Sequence, residues 1–292
     1  MGPLLVYRHG VTILIIGGSG FLGTELVRQA ASAGILVAAT FTTRPGDAPR
    51  IPWHALDLRD PGRLEAVMAE VKPRVVINAA SGGADWAVTA EGPIRVALAS
   101  ARHGSRLIHV SSDAVFSGTR IHYDESSLPD PLTPYGAAKA AAETGVLLVQ
   151  PDAVVARTSL IIGDQRSNHV ALVHDLAAGT RDGVLFSDDI RCPVHVADLA
   201  AALLELATRN VGGLLHLAGP DAVSRHELGV LIAQRDGLDA TRLRAGLRAN
   251  SPRPGALDVR LDSRATQSRL HTALRGARQF LTEDAASLLP AE

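Results

Sequence analysis

Tyr135 and Lys139 stand four residues apart in the segment Tyr135-Gly136-Ala137-Ala138-Lys139. On a helix that spacing puts both side chains on one face. An ammonium beside a phenol lowers the phenol's pKa, so the hydroxyl can exchange a proton near neutral pH. The pair is unusual against its background, because the 292 residues include three tyrosines and, among 29 basic side chains, two lysines, Lys72 and Lys139. A coding bias toward arginine accounts for the composition. A position that keeps lysine in such a chain is nevertheless one where an amine and a guanidinium are not equivalent. The plain alternative is a solvated helix pair with no chemistry. Upstream, His109-Val110-Ser111-Ser112-Asp113-Ala114-Val115-Phe116 follows an apolar run. A serine hydroxyl at the C-terminal end of a strand, where ligands sit in open α/β sheets, can hydrogen-bond a substrate carbonyl. By itself Ser-Ser-Asp is a common turn.

The second constellation is Gly17-Gly18-Ser19-Gly20-Phe21-Leu22-Gly23. It contains G-x-x-G-x-x-G through Gly17, Gly20 and Gly23. Glycines so spaced let the chain turn sharply, let backbone N–H groups approach a pyrophosphate, and let a helix pack on a strand. Glycine-rich turns are common, but here a buried-strand pattern precedes the cluster and a helical pattern follows it, as the motif requires. Cofactor choice is read after the second strand, where an NAD site places an acid to hold the ribose 2′-hydroxyl. This chain reads Phe41-Thr42-Thr43-Arg44-Pro45, with its first acid at Asp47. An arginine with neighbouring hydroxyls suits a 2′-phosphate, so NADP(H) is expected over NAD(H), against the plain alternative that Arg44 is a solvated loop charge. Asp57-Leu58 are expected at the adenine edge, and Asn78-Ala79-Ala80 beside the cofactor.

The elements that must position these groups follow from periodicity. Thr12-Ile13-Leu14-Ile15-Ile16 is a continuous apolar run, too short for a helix and rich in β-branched residues, which reads as a strand buried on both faces. Runs of the same character are Ile35–Phe41, Arg74–Ala79, Arg106–Ser111 and Ala153–Arg157. Helical stretches lie at Thr24–Ala33 and near 60–71, 86–103 and 134–149. Alternation over some 160 residues predicts an α/β, Rossmann-type doubly wound parallel sheet with right-handed crossovers. Beyond it come a polar, Gly- and Asp-rich stretch at 163–192, a helix at Val196–Thr208, a strand at Leu214–Leu217 and a helix at Ser224–Arg235. The expected organisation is a nucleotide domain of residues 1–160 with about 195–218, and a smaller substrate lobe of about 161–194 and 219–292.

Composition narrows the function classes. Lys+Arg is 29 and Asp+Glu is 30, a balance that argues against a nucleic-acid binder resting on phosphate neutralisation. Cys192 is the single cysteine, which excludes an internal disulfide or a multi-thiolate metal site. His169, His174 and His195 lack metal-ligand spacing and read as surface or core histidines, so no metal is expected. No apolar run reaches the roughly 18 residues of a membrane span, and the first ten residues do not read as a signal peptide. The expectation is a cytoplasmic enzyme.

Taken together, these residues resemble the extended short-chain dehydrogenase/reductase superfamily, and within it the dTDP-4-dehydrorhamnose reductase-like group. The resemblance spans nearly the whole chain: the glycine motif, Asp57-Leu58, Asn78-Ala79-Ala80, Ser111-Ser112-Asp113-Ala114-Val115-Phe116-Ser117-Gly118, Pro131 to Lys139, Arg157-Thr158-Ser159, Pro193 and Val196-Ala197-Asp198-Leu199-Ala200, and loosely Arg253-Pro254 with Leu261-Asp262. It implies that Tyr135 protonates a carbonyl oxygen and that Lys139 holds the nicotinamide ribose and tunes Tyr135. It also implies that Ser112 orients the carbonyl, assisted by Asp113. Gly17, Gly20, Phe21, Leu22, Gly23 and Arg44 join Asp57, Leu58, Asn78, Ala79, Ala80, Tyr135 and Lys139 as cofactor residues. Arg157, Arg191 and Arg253 join Ser112 and Asp113 on the substrate side. The implied substrate is a nucleotide-activated 4-keto-deoxysugar, and helix-mediated dimers are common in the superfamily.

One departure is Thr89, which stands where many members carry asparagine. A second is the segment 166–189, which matches no substrate pattern of the group. A 4,6-dehydratase would follow its active-site hydroxyl with Asp-Glu, whereas Ser112 is followed by Asp113-Ala114. A 4-epimerase uses the same Ser, Tyr and Lys with retained NAD, which Arg44 opposes. A non-catalytic NADP-binding subunit, as in the β subunit of methionine adenosyltransferase, remains as the reading from another class. The complete hydroxyl–Tyr–Lys set opposes it.

Overall fold

In the computed structural model, which describes residues 12–253 and 255–288, chain order runs β1 (Thr12–Ile16), α1 (Phe21–Ser32), β2 (Leu36–Phe41), β3 (Trp53–Ala55), α2 (Pro61–Val71), β4 (Val75–Asn78), α3 (Gly92–Arg102), β5 (Arg106–Ser112), α4 (Pro134–Val149), α5 (Asn168–Ala178), α6 (Val196–Thr208) and α7 (Arg225–Arg235). Ile13, Leu14, Ile15 and Ile16 of β1 are each at most 1% exposed. Successive side chains of a strand point to opposite faces, so a run apolar at every position must be covered on both. Ile13 and Ile15 pack with α1 and α6 in one core. Leu14 and Ile16 pack with α2 and α3 in another.

All seven strands of the main sheet pair in parallel, in the order Gly213–Leu217, Val154–Thr158, β5, β4, β1, β2, β3. The order reverses between β1 and β4, and ligands bind beyond the strand ends at such a switch point. Register brings Ile16, Asn78 and His109 into one row, so the glycine cluster and Asn78-Ala79-Ala80 meet there.

A third core joins Leu160 and Ile162 with Val170, Val173 and Leu176 of α5, Leu228 and Ile232 of α7, and Phe280 and Leu281. Helix α5 lies inside the stretch that reads from sequence as irregular. Its apolar positions are spaced for a helix, but polar residues on both flanks dilute the pattern, and only Gly179 in the left-handed region marks its end. Three further boundaries differ from the sequence reading. The first helix starts at Phe21, straight from Gly20. The 86–103 helix is a π-helical turn, Ala87–Glu91, followed by α3. The three-residue edge strand β3 is too short to show a period. Among the described residues no helix is long and apolar enough to cross a membrane.

Candidate active site

The cofactor cradle is built by what the glycines omit. Gly17 has φ +78°, and a Cβ there would lie 2.8 Å from the Ala80 backbone. A Cβ on Gly23 would collide with the Gly17 carbonyl. Close packing of α1 on the β1 turn therefore demands both. Gly20 caps α1 without any side-chain hydrogen bond, which leaves helix N-terminal N–H groups for an anion. Thr40 accepts the Gly17 N–H at 3.0 Å, and Asn78 Oδ1 accepts the Ala80 N–H at 3.2 Å. Ala79 and Ala80 are half-buried at the crevice and Arg44 is exposed just past β2. Asp57 pairs with Arg59 at 2.8 Å, while Leu58 is buried against Gly92. A dinucleotide pyrophosphate fits this cradle of backbone donors.

The next strand ends carry the hydroxyls expected to serve proton transfer. Ser111 and Ser112 alternate across β5, so the Ser111 hydroxyl donates to Glu143 of α4 at 2.5 Å while Ser112 faces the crevice. Ser112 Oγ accepts the Ala114 N–H at 3.2 Å and donates to Asp113 Oδ1 at 3.3 Å. Asp113 Oδ2 takes the Ser159 hydroxyl at 2.6 Å. Thr133 caps α4 through the Gly136 N–H, and Pro134 fills the first turn. This start fixes Tyr135 at the helix entrance and Lys139 one turn further on.

The relation between these two residues differs from the expectation. Burial raises the Tyr135 pKa, the Asp113 charge adds to the rise, and the Ser112 and Ser81 hydroxyls pull it down without offsetting it. Lys139 is 3% exposed and its ammonium donates to the Val110 carbonyl at 2.9 Å, so it is turned into the sheet. Its own pKa falls to about 8, through burial first, against an opposing pull from Glu143. Sequence spacing reported the shared helix face but not the burial that controls both groups. Ser81 carried no sequence signal beyond its place after Asn78-Ala79-Ala80. Thr89 is 1% exposed; its hydroxyl donates to the Gly83 carbonyl at 2.8 Å and accepts the Gly82 N–H at 3.1 Å. It ties down the loop that carries Ser81.

A cavity of about 710 Å³ adjoins this end of the sheet, lined by Phe21, Ser112, Asp113, Tyr135 and Ser159 and, from the C-terminal half of the chain, by His169, Arg191, Arg225 and Arg248. Of the three arginines expected on the substrate side, Arg191 is in this wall. Arg157 is not. It is 1% exposed, pairs with Glu143 at 2.8 Å and donates to the Ser127 carbonyl at 3.1 Å. Strand alternation aims it at α4. Arg253 is exposed on a loop outside the cavity, while Arg248, before that loop, and Gly255, after it, line the wall. His169, read as an ordinary histidine, faces the cavity with Nδ1 3.1 Å from Arg225 Nη1. Burial, then the Arg225 charge, pulls its pKa down to about 3. Arg225 and Arg248 sat in segments without a motif, and only folding makes them neighbours. Cys192 is buried, and burial raises its thiol to about 11, as befits a small apolar side chain.

Residues 11–288 match the family described as RmlD substrate binding domain. The chain belongs to this family. With it, the chain joins the oxidoreductases of the extended short-chain dehydrogenase/reductase superfamily. It is 35% identical over 259 residues to dTDP-4-dehydrorhamnose reductase of Mycobacterium tuberculosis, a match covering 83% of this chain and 81% of that protein. It is 28% identical over 267 residues to methionine adenosyltransferase 2 subunit beta of Xenopus laevis, covering 83% and 79%. The fold of dTDP-4-dehydrorhamnose reductase from Bacillus anthracis, solved in complex with NADP, superposes with a TM-score of 0.81 at 22% identity, covering 95% of this chain and 99% of that one.

Proposed function

We propose that this chain is an NADP(H)-dependent reductase of a keto group on a nucleotide-activated 4-keto-deoxysugar, with Tyr135 as proton donor. The observation that carries the reading is a single cavity lined both by the Ser112–Tyr135 pair and by Arg191, Arg225 and Arg248. It joins a proton donor to a cationic wall able to take a nucleoside diphosphate. The similarity to a named reductase of M. tuberculosis supports the substrate class, and the NADP complex of the B. anthracis protein supports the cofactor.

The dinucleotide, when bound, supplies the hydride to the carbonyl carbon. Ser112, fixed by Asp113 and Ala114, hydrogen-bonds the carbonyl oxygen and sets its direction. Tyr135 keeps its proton at neutral pH, as a phenol ordinarily does and the more firmly because burial raises its pKa, and yields it to the far more basic alkoxide oxygen as that charge develops. Lys139 holds the ribose hydroxyls as an ammonium. It is 3% exposed and donates to the Val110 carbonyl at 2.9 Å, a packed place where a larger, planar guanidinium is not equivalent to an ammonium, so Lys139→Arg is expected to lose activity.

The test is oxidation of NADPH with a freshly generated dTDP-4-keto-6-deoxy sugar, with Tyr135→Phe as control. Turnover by the unaltered chain alone supports the reductase. Tight NADPH binding without turnover overturns it in favour of a different carbonyl substrate or a binding module. Two further outcomes are expected. Arg44→Ala weakens NADPH by about ten-fold or more, the worth of a charge-assisted contact, and leaves NADH almost unchanged; equal loss for both sinks the 2′-phosphate assignment. In the free enzyme kcat/KM falls as pH rises through about 8, because Lys139 is charged only below its lowered pKa. A profile flat to pH 10 removes the ammonium from the chemistry.

A further inference from the structure

Three guanidiniums in the cavity wall converge on one carboxylate. Asp189 is 2% exposed. Arg191 Nη1 lies 3.0 Å and Arg225 Nε 3.5 Å from its Oδ1, and Arg248 Nε lies 3.7 Å from its Oδ2. Two other carboxylates are near. Asp113 Oδ2 is 3.7 Å from Arg191 Nε, and Asp188 is occupied with the backbone N–H groups of Arg248 and Ala249.

The three arginines differ in how firmly they are held. Arg191 donates to the carbonyls of Ile190, Ala256 and Leu257 at 2.7, 2.8 and 3.2 Å, so it is pinned. Arg225 has His169 on Nη1 and meets Asp189 only at ion-pair distance. Arg248 lies over the Phe186 ring at 5.2 Å, and its buried Nε makes no hydrogen bond. Asp189 Oδ1 is also buried without a hydrogen bond of proper geometry. Buried charges are normally hydrogen-bonded. Arg225 and Arg248 are therefore held to Asp189 mainly by charge, and an anion that offers well-directed oxygens can take them over.

We propose that Asp189 is an internal counter-anion that holds Arg225 and Arg248 between ligands and competes with the ligand's diphosphate for them. The inference rests on the reading of the cavity as a nucleotide-sugar site. The exchange replaces one set of buried ion pairs by another, so binding does not create unpaired charge and departure does not leave it behind. It also keeps a diphosphate-bearing product from being trapped by three arginines. Asp189 is on this account a positioning residue that acts through Arg225 and Arg248.

Inorganic diphosphate is the probe, with calorimetry and thermal unfolding on the full chain. Asp189→Asn is expected to tighten the diphosphate Kd by about ten-fold or more, since a nearby like charge has gone. Without diphosphate this variant melts below the unaltered chain, and diphosphate raises its Tm by more than it raises that of the unaltered chain. Arg248→Met, in contrast, weakens diphosphate by about ten-fold or more. Equal or weaker binding by Asp189→Asn would make the carboxylate a fixed anchor and overturn the proposal. So would a variant that stays unfolded at saturating diphosphate, because the anion then cannot stand in for the carboxylate. An unchanged Kd in Arg248→Met would remove the anion from this cluster. None of these readouts uses a keto sugar, so they separate failure of the exchange from failure of the reductase reading.

Discussion

Replacing Tyr135 by phenylalanine is expected to lower turnover by about 10³-fold or more while the dinucleotide still binds. Loss of a positioned proton donor typically removes 10²–10⁴-fold, and among the described residues no second acid is placed to substitute. Ser112 is a weak acid engaged with Asp113, and Lys139 is turned to the Val110 carbonyl. Burial raises the Tyr135 pKa, so the phenol is protonated throughout the neutral range and the loss should be nearly independent of pH below its titration. The ring itself is kept in the variant, so packing at the start of α4 is retained. Single-turnover reduction with NADPH, beside equilibrium NADPH binding, is the measurement. Joint loss of binding and turnover would show that the tyrosine supports the crevice rather than the proton transfer.

The largest effect on stability is expected at Arg157. Its side chain is 1% exposed and Glu143's is 4% exposed, with three guanidinium–carboxylate hydrogen bonds between 2.8 and 3.2 Å. Removing one partner leaves an uncompensated buried charge, which costs about 3–5 kcal/mol. Arg157→Met should therefore melt well below the unaltered chain, and the double change Arg157→Met with Glu143→Gln should recover part of the loss. Arg157 also holds the Ser127 carbonyl at 3.1 Å, so the loop ahead of Thr133 loosens with it. In the folded fraction the KM for the sugar nucleotide should hardly move. A KM increase without loss of stability would return Arg157 to the substrate.

That contrast shows where a motif misleads. The segment Arg157-Thr158-Ser159 matches the family pattern, and a cation near a substrate cleft suggests an anion ligand. The residue aimed at the cavity is Ser159, one step beyond the strand, while Arg157 lies on the side of the strand that faces α4. A motif fixes residue types; where the strand ends, and what packs on the face below that end, decides which of them reach the ligand. Arg253 and Arg248 make the same point in a loop, where no period exists to indicate which arginine turns inward. The helix α5 was hidden for a related reason, because its apolar residues pack into a core assembled from segments far away in the chain.

By itself the sequence determined the central strands of the main sheet, through short apolar runs that could be satisfied only by cover on both faces, and the tight turn into α1, through glycines set between a strand pattern and a helix pattern. It also determined the Tyr135–Lys139 pair, since a helix places residues four apart on one face whatever surrounds them. All of these signals are local. Only the tertiary structure decided the burial that raises the Tyr135 pKa and lowers that of Lys139, because desolvation depends on every element packed around a group. It alone decided that Arg191, Arg225 and Arg248 meet at Asp189, since convergence of residues up to about 60 positions apart leaves no local pattern to read.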